Sequence, residues 1–126
     1  MTGKIERFED LKCWQKAREL MNEIYNVCEN SGLKRDWSTQ HQIKRAVIST
    51  MNNISEGFGR YSEREFVRFL NISSASGMEV RSMLYVLLDR KYINKETFEK
   101  LYKLSISHIN LTLGLIRYLT KNKLAS

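Results

Sequence analysis

The chain has 126 residues, room for one domain with a core of its own and too little for two. It has no proline, only six glycines and a formal net charge of +7. That composition favours long helices over a strand-and-turn fold and leaves room for anionic partners, while no apolar run approaches the roughly 20 residues of a membrane span.

Four helical segments follow in chain order. The first covers about residues 9–29, where Leu11, Trp14, Ala17, Leu20, Met21, Ile24 and Cys28 recur at intervals of three and four. Asn30-Ser31-Gly32 supplies residues suited to a left-handed or turn conformation at its end. Cys13 and Cys28 lie on this one helix, fifteen residues apart. That separation is roughly 22 Å, too far to bridge. Two lone thiols and no legible signal peptide fit a reducing, cytoplasmic setting.

The second segment covers about 39–58, with Thr39 and Gln42 as a capping box and Gly59 just past its end. Ile43, Val47, Met51, Ile54 and Phe58 form its apolar stripe. The third covers about 62–91 and opens on "SERE", another capping box at Ser62. The fourth covers about 94–121 behind Asn94, a favourable N-cap. The connections are short apart from 30–38, so four amphipathic helices should form one up-down-up-down antiparallel bundle over 1–126, ordered from about 8 to 121. Residues 1–7 and 122–126 are expected to fray. Trp14, Ile43, Val47, Ile54, Phe66, Leu70, Leu84, Leu101 and Leu115 are the expected core.

The stretch "NNISEGFGRYSEREF" at 52–66 poses the main question of chemistry. Its Gly-x-Gly follows no strand, and Ser62 stands where a dinucleotide loop needs its third glycine. No metal-ligand spacing and no Ser/His/Asp order is present, so no catalytic residue, metal or cofactor is assigned. Glu56 and Glu79 are the nearest thing to candidate acids, and His108, amid an apolar arc, reads as a core histidine. Gln42, Arg45, Ser49, Asn53 and Glu56 instead form a polar stripe within about 80° of the helix wheel. Helices two and three should face each other there, with the small run "SSASG" at 73–77 allowing close approach. The expected network pairs Arg45 with Glu79, has Gln42 and Ser76 complete the hydrogen bonding around that pair, and sets Glu56 facing Arg68 at the other end.

Three stretches, "FEDLKCWQKARELMNEIY", "QIKRAVISTMNNISEGFGR" and "SEREFVRFLNISSASGMEV", resemble the four-helix bundle proteins encoded in intervening sequences of bacterial 23S rRNA genes. The specific part is Gln42, Arg45-Ala46, Ser49, Asn53-Ile54, Glu56-Gly57, Arg60 and "FVRFL". The resemblance covers nearly the whole chain. It implies an antiparallel four-helix bundle assembling as a homopentamer. It also implies a structural likeness to the accessory variability determinant of diversity-generating retroelements, which binds nucleic acid and a reverse transcriptase.

The fourth helix supports assembly without the family. Its apolar residues, from Leu101 through Leu119, spread over roughly 240°, against the ~100° a surface helix needs. A second copy of the chain is the simplest cover. The remaining arc holds Lys100, Lys103, Ser107, Asn110, Gly114, Arg117 and Lys121 with no acidic residue. Lys100, Lys103, Arg117 and Lys121, with Arg60, are the candidate nucleic-acid contacts. With no base-reading motif, binding would go through the phosphate backbone. The expected function is thus a non-enzymatic, oligomeric, RNA-binding bundle. The alternative is a scaffold for a partner protein such as a reverse transcriptase.

Overall fold

The computed structural model describes residues 5–125, with side chains through Lys121. Four helices carry the fold: α1 (Lys12–Asn30), α2 (Trp37–Phe58), α3 (Glu63–Asp89) and α4 (Lys95–Ala125). No strand occurs among the described residues. Each helix packs on two neighbours: α1 on α2 and α4, and α3 on the same two. Of the termini expected to fray, residues 1–4 and 126 lie outside the described residues, while the α4 backbone stays helical through Ala125.

Helix starts are set by side chains that satisfy the free N–H groups of the first turn. Ser62 accepts from the Glu65 N–H at 3.3 Å and Asn94 from the Thr97 N–H at 2.8 Å, as the sequence predicts. Glu65 does not return the bond of a capping box; its carboxylate turns to Arg68 instead. α2 starts earlier than expected. Asp36 caps it, its carboxylate accepting from the Thr39 N–H at 3.1 Å, so Thr39 lies inside the helix and its box with Gln42 does not form. α1 starts later, because Phe8–Asp10 close a separate 3₁₀ turn that lays Phe8 edge-on against Trp14 at 5.2 Å.

The turns also differ from expectation. Ser31, just past α1, is extended rather than left-handed. Its hydroxyl donates to the Val27 carbonyl at 2.7 Å and accepts from the Leu33 N–H at 3.1 Å. The connection expected to be a loop holds a second 3₁₀ turn, Gly32–Arg35, pinned by the fully buried Leu33. Gly59 keeps right-handed helical geometry, and the left-handed residues are Tyr61 (φ 57°) and Lys91 (φ 62°).

The core has two apolar lobes. One gathers Leu20, Ile24, Ile43, Val47, Leu84 and Leu101; the other gathers Leu11, Ala17, Ile54 and Leu70. Each fully buried Leu or Ile stabilises by about 1.5–3 kcal/mol. Of the expected core, Trp14, Phe66 and Leu115 are only half-buried, packed against the second lobe from outside. Between the lobes, Thr50, Ser73, His108 and Thr112 form a fully buried polar layer contributed by α2, α3 and α4. Both cysteines are buried and unpaired.

Candidate functional site

Along α2 and α3 the paired positions run in opposite senses: Ser49 meets Ser76, Thr50 meets Ser73, and Gly57 meets Phe69. The seam is held by hydroxyls. The Ser49 and Ser76 oxygens lie 2.7 Å apart, and the Asn53 amide donates to Ser49 Oγ at 2.9 Å. Of the eight residues expected in the network, these three are brought together.

Neither expected charged contact forms an ion pair among the described residues. Arg45 stands level with Glu79 in this register, yet no ion pair joins them and Arg45 is exposed. A solvated pair gains little against side-chain entropy. Of the two residues expected to complete the hydrogen bonding around that pair, Ser76 bonds Ser49 instead and Gln42 is exposed one turn further out. Glu56 pairs within its own helix end, with Arg60 at 3.8 Å, and Arg68 pairs with Glu65 at 3.1 Å. The Glu65 hydrogen bond is the main cause of the raised Arg68 pKa, and Glu56 still lies near enough to be a lesser one, without an ion pair. The Arg68 hydrogen bond holds the Glu65 carboxyl below the usual range. Arg60 and Arg68 both lay their guanidinium groups over the Phe69 ring, at 5.0 and 4.5 Å.

The small run at 73–77 serves α4 as well as α2. A Cβ on Gly77 would come within 2.8 Å of His108 Nδ1 and 2.9 Å of Ile109 Cγ1. α2 also comes close to α3 at Gly57, where a Cβ would meet Phe69 Cβ at 2.6 Å.

His108 is the one buried titratable ring among the described residues. Ser73 Oγ donates its only proton to the Thr50 carbonyl at 2.7 Å, so His108 Nε2, 3.1 Å away, must donate to Ser73. The bare lone pair then sits on Nδ1, which has no hydrogen-bond partner. Burial lowers the ring's pKa to about 4, so it is neutral at physiological pH. Sequence reading finds the core histidine and misses its partners, since a buried Thr or Ser looks like a surface one in the sequence.

On α4, Lys103, Arg117 and Lys121 are exposed and form no ion pair among the described residues. Lys103 borders a shallow depression lined also by Ile106, Ser107, Asn110 and Leu111. Lys100 is different: its ammonium lies 3.0 Å from the Glu23 carboxylate of α1, so an acid from a neighbouring helix enters a stripe that has none of its own. Arg60 is likewise shared with Glu56. The α4 apolar arc remains largely half-exposed. Leu111, Leu115, Ile116 and Leu119 pack on the second lobe, whereas Ile106 and Leu113 belong to neither lobe.

No His/Cys/Asp/Glu group among the described residues is arranged to hold a metal ion, and none of the described helices is long and apolar enough to cross a membrane.

Residues 9–113 match a family described as 23S rRNA-intervening sequence protein. A crystal structure of a protein of unknown function from the S23 ribosomal protein family of Bacteroides thetaiotaomicron is similar in fold, with a TM-score of 0.75 at 24% identity, covering 83% of this chain and 98% of the other. No curated protein matches the sequence.

Proposed function

Because the chain belongs to the 23S rRNA-intervening sequence protein family, we propose that it is a non-enzymatic, cytoplasmic RNA-binding bundle of up-down-up-down order that assembles into a ring of like subunits. The observation that carries the RNA reading is the set of exposed, unpaired cations Lys103, Arg117 and Lys121 on one helix. Lys100 and Arg60 are secondary contacts, since each must first leave a carboxylate. Phosphates satisfy such a stripe without base readout, so binding is weakly sequence-specific and falls steeply with salt. Repetition of the stripe around a ring multiplies the phosphates neutralised per particle. A non-enzymatic role is supported by His108, whose ring is engaged in the core, and by Glu56, which is paired with Arg60.

The test is retention of structured RNA between about 50 and about 200 mM salt. Reversing Lys103, Arg117 and Lys121 to glutamate should remove most retention and leave helicity intact. Wild-type protein that retains no RNA at low salt would end this reading. A second reading, a scaffold for a partner protein, is favoured by the exposed Ile72, Met78, Tyr85 and Val86 of α3. It predicts protein capture that is insensitive to salt.

A further inference from the structure

The two connections at one end of the bundle, 31–36 and 90–94, are tied together. The Tyr92 hydroxyl donates to Asp36 Oδ2 at 2.8 Å, and the Tyr92 ring lies so close to Gly32 that a Cβ there would be 3.1 Å from Tyr92 Cδ1. The Asp36 carboxyl is held low first by the Thr39 backbone and side chain, then by the Tyr92 hydroxyl and the nearby Arg90 guanidinium. This tie joins the connection that carries Lys34 and Arg35 to the one that carries Arg90 and Lys91, and all four are exposed. Lys34, Arg35 and Lys91 form no ion pair among the described residues. The one acid in these connections, Asp36, is already occupied by Thr39 and Tyr92. Asp89 and Glu96 stand at the flanking helix ends and reduce the local surplus, so charge alone does not define the surface.

The aromatic does. Trp37 follows Asp36 directly and is 80% exposed, while Trp14, the other tryptophan, is half-buried against Phe8. Leaving an indole in water forgoes the burial that normally places tryptophan at least partly inside. An outstanding indole flanked by cations has the chemistry of a platform for an unstacked base, with the cations on the phosphates either side. A continuous duplex offers no free base face, so the fit is to a single strand.

We propose that Trp37, with Lys34, Arg35, Arg90 and Lys91, forms a second nucleic-acid surface that stacks a base of single-stranded RNA. The inference rests on the RNA-binding reading above and adds a site distinct from the α4 stripe. Lys103 is eight residues into α4 from Lys95, roughly 12 Å along the helix from this end.

The test uses the full chain with Trp14→Phe, leaving Trp37 as the sole tryptophan, and a 12-nucleotide oligoadenylate as about the length of one site. Single strand should quench Trp37 emission, salt should restore it, and the matching duplex should quench far less. Because Trp14→Phe can disturb packing, retention of the oligonucleotide is also measured in Trp37→Ala and Trp37→Tyr without that change. Trp37→Ala should lose about tenfold in affinity, with most of it kept in Trp37→Tyr. Retention of structured RNA by the unaltered protein, measured in parallel, separates the two readings. If that RNA binds while Trp37 emission and Trp37→Ala affinity stay unchanged, this surface is wrong and the α4 reading stands. If nothing binds, both fall. If Trp37 emission is already blue-shifted and unresponsive in the free protein, another copy covers the indole and the surface is overturned.

Discussion

Burial holds His108 at a pKa of about 4, against 6.5 for the free side chain. Between these values the unfolded chain binds a proton that the fold refuses. The stability that His108 contributes is therefore full above pH 6.5, declines as pH falls toward about 4, and changes no further below, where carboxylates such as Asp36 and Glu65 take over the loss. The loss from His108 is on the order of 3 kcal/mol. Chemical denaturation at neutral and mildly acid pH should show it, and His108→Leu should remove most of that slope. Leucine leaves no donor stranded, since Ser73 keeps its bond to the Thr50 carbonyl at 2.7 Å. Gly77 belongs to the same arrangement. Gly77→Ala drives a methyl against His108 and Ile109 and should cost about 1–3 kcal/mol by overpacking. The penalty should shrink in a His108→Ala background, which a double-mutant cycle would read as coupling. The imidazole is legible in the sequence from its place in an apolar arc. Its partners are not, because hydroxyls at Thr50 and Ser73 give no periodic signal and are assigned only once three helices converge on them.

At the level of helices, the start signals with a single candidate cap, Ser62 and Asn94, are legible in the sequence. The α2 start is not, because two caps compete three residues apart. Asp36 wins, since its carboxylate also receives the Tyr92 hydroxyl, a contact fifty-six residues distant that no local window reveals. The α2–α3 seam is legible as a place of close approach and a polar stripe. Its chemistry is not, for the long charged side chains form no ion pair across it and the short hydroxyl and amide groups make the contact. Two sets of mutations test this seam. Gly57→Ala places a carbon 2.6 Å from Phe69 Cβ, where both partners are fixed to backbone, and should destabilise by about 1–3 kcal/mol. Arg45→Met and Glu79→Gln, by contrast, should each change stability by less than about 0.5 kcal/mol, with no measurable coupling between them. Thermal or denaturant unfolding of the single and double variants checks both statements.

For the molecule as a whole, α4 sets the problem of what covers it. One chain of four helices buries the side of α4 that faces α1 and α3, and leaves Ile106 and Leu113 outside both lobes. They are seven residues apart, two turns, and so lie on one face. Arg117, four residues beyond Leu113, falls on that face too, with Lys103 and Lys121 at its edge. A subunit interface through Ile106 and Leu113 would therefore bring the cations of neighbouring copies close together, with their ammonium and guanidinium groups at its rim. Such crowding would be unfavourable by itself and would be relieved by intervening phosphates, so the proposed assembly and the proposed RNA binding would be coupled. The double variant Ile106→Glu, Leu113→Glu should accordingly sediment as a monomer while keeping its helical circular dichroism, since neither side chain contributes to the core lobes. Its RNA affinity should fall, and its log-affinity should depend less steeply on log salt, by about 0.7–0.9 for each phosphate that a neighbouring subunit no longer neutralises. A wild-type chain that is already monomeric at micromolar concentration would remove the argument from the α4 arc. A variant that dissociates but keeps the wild-type salt slope would show instead that each subunit binds RNA alone.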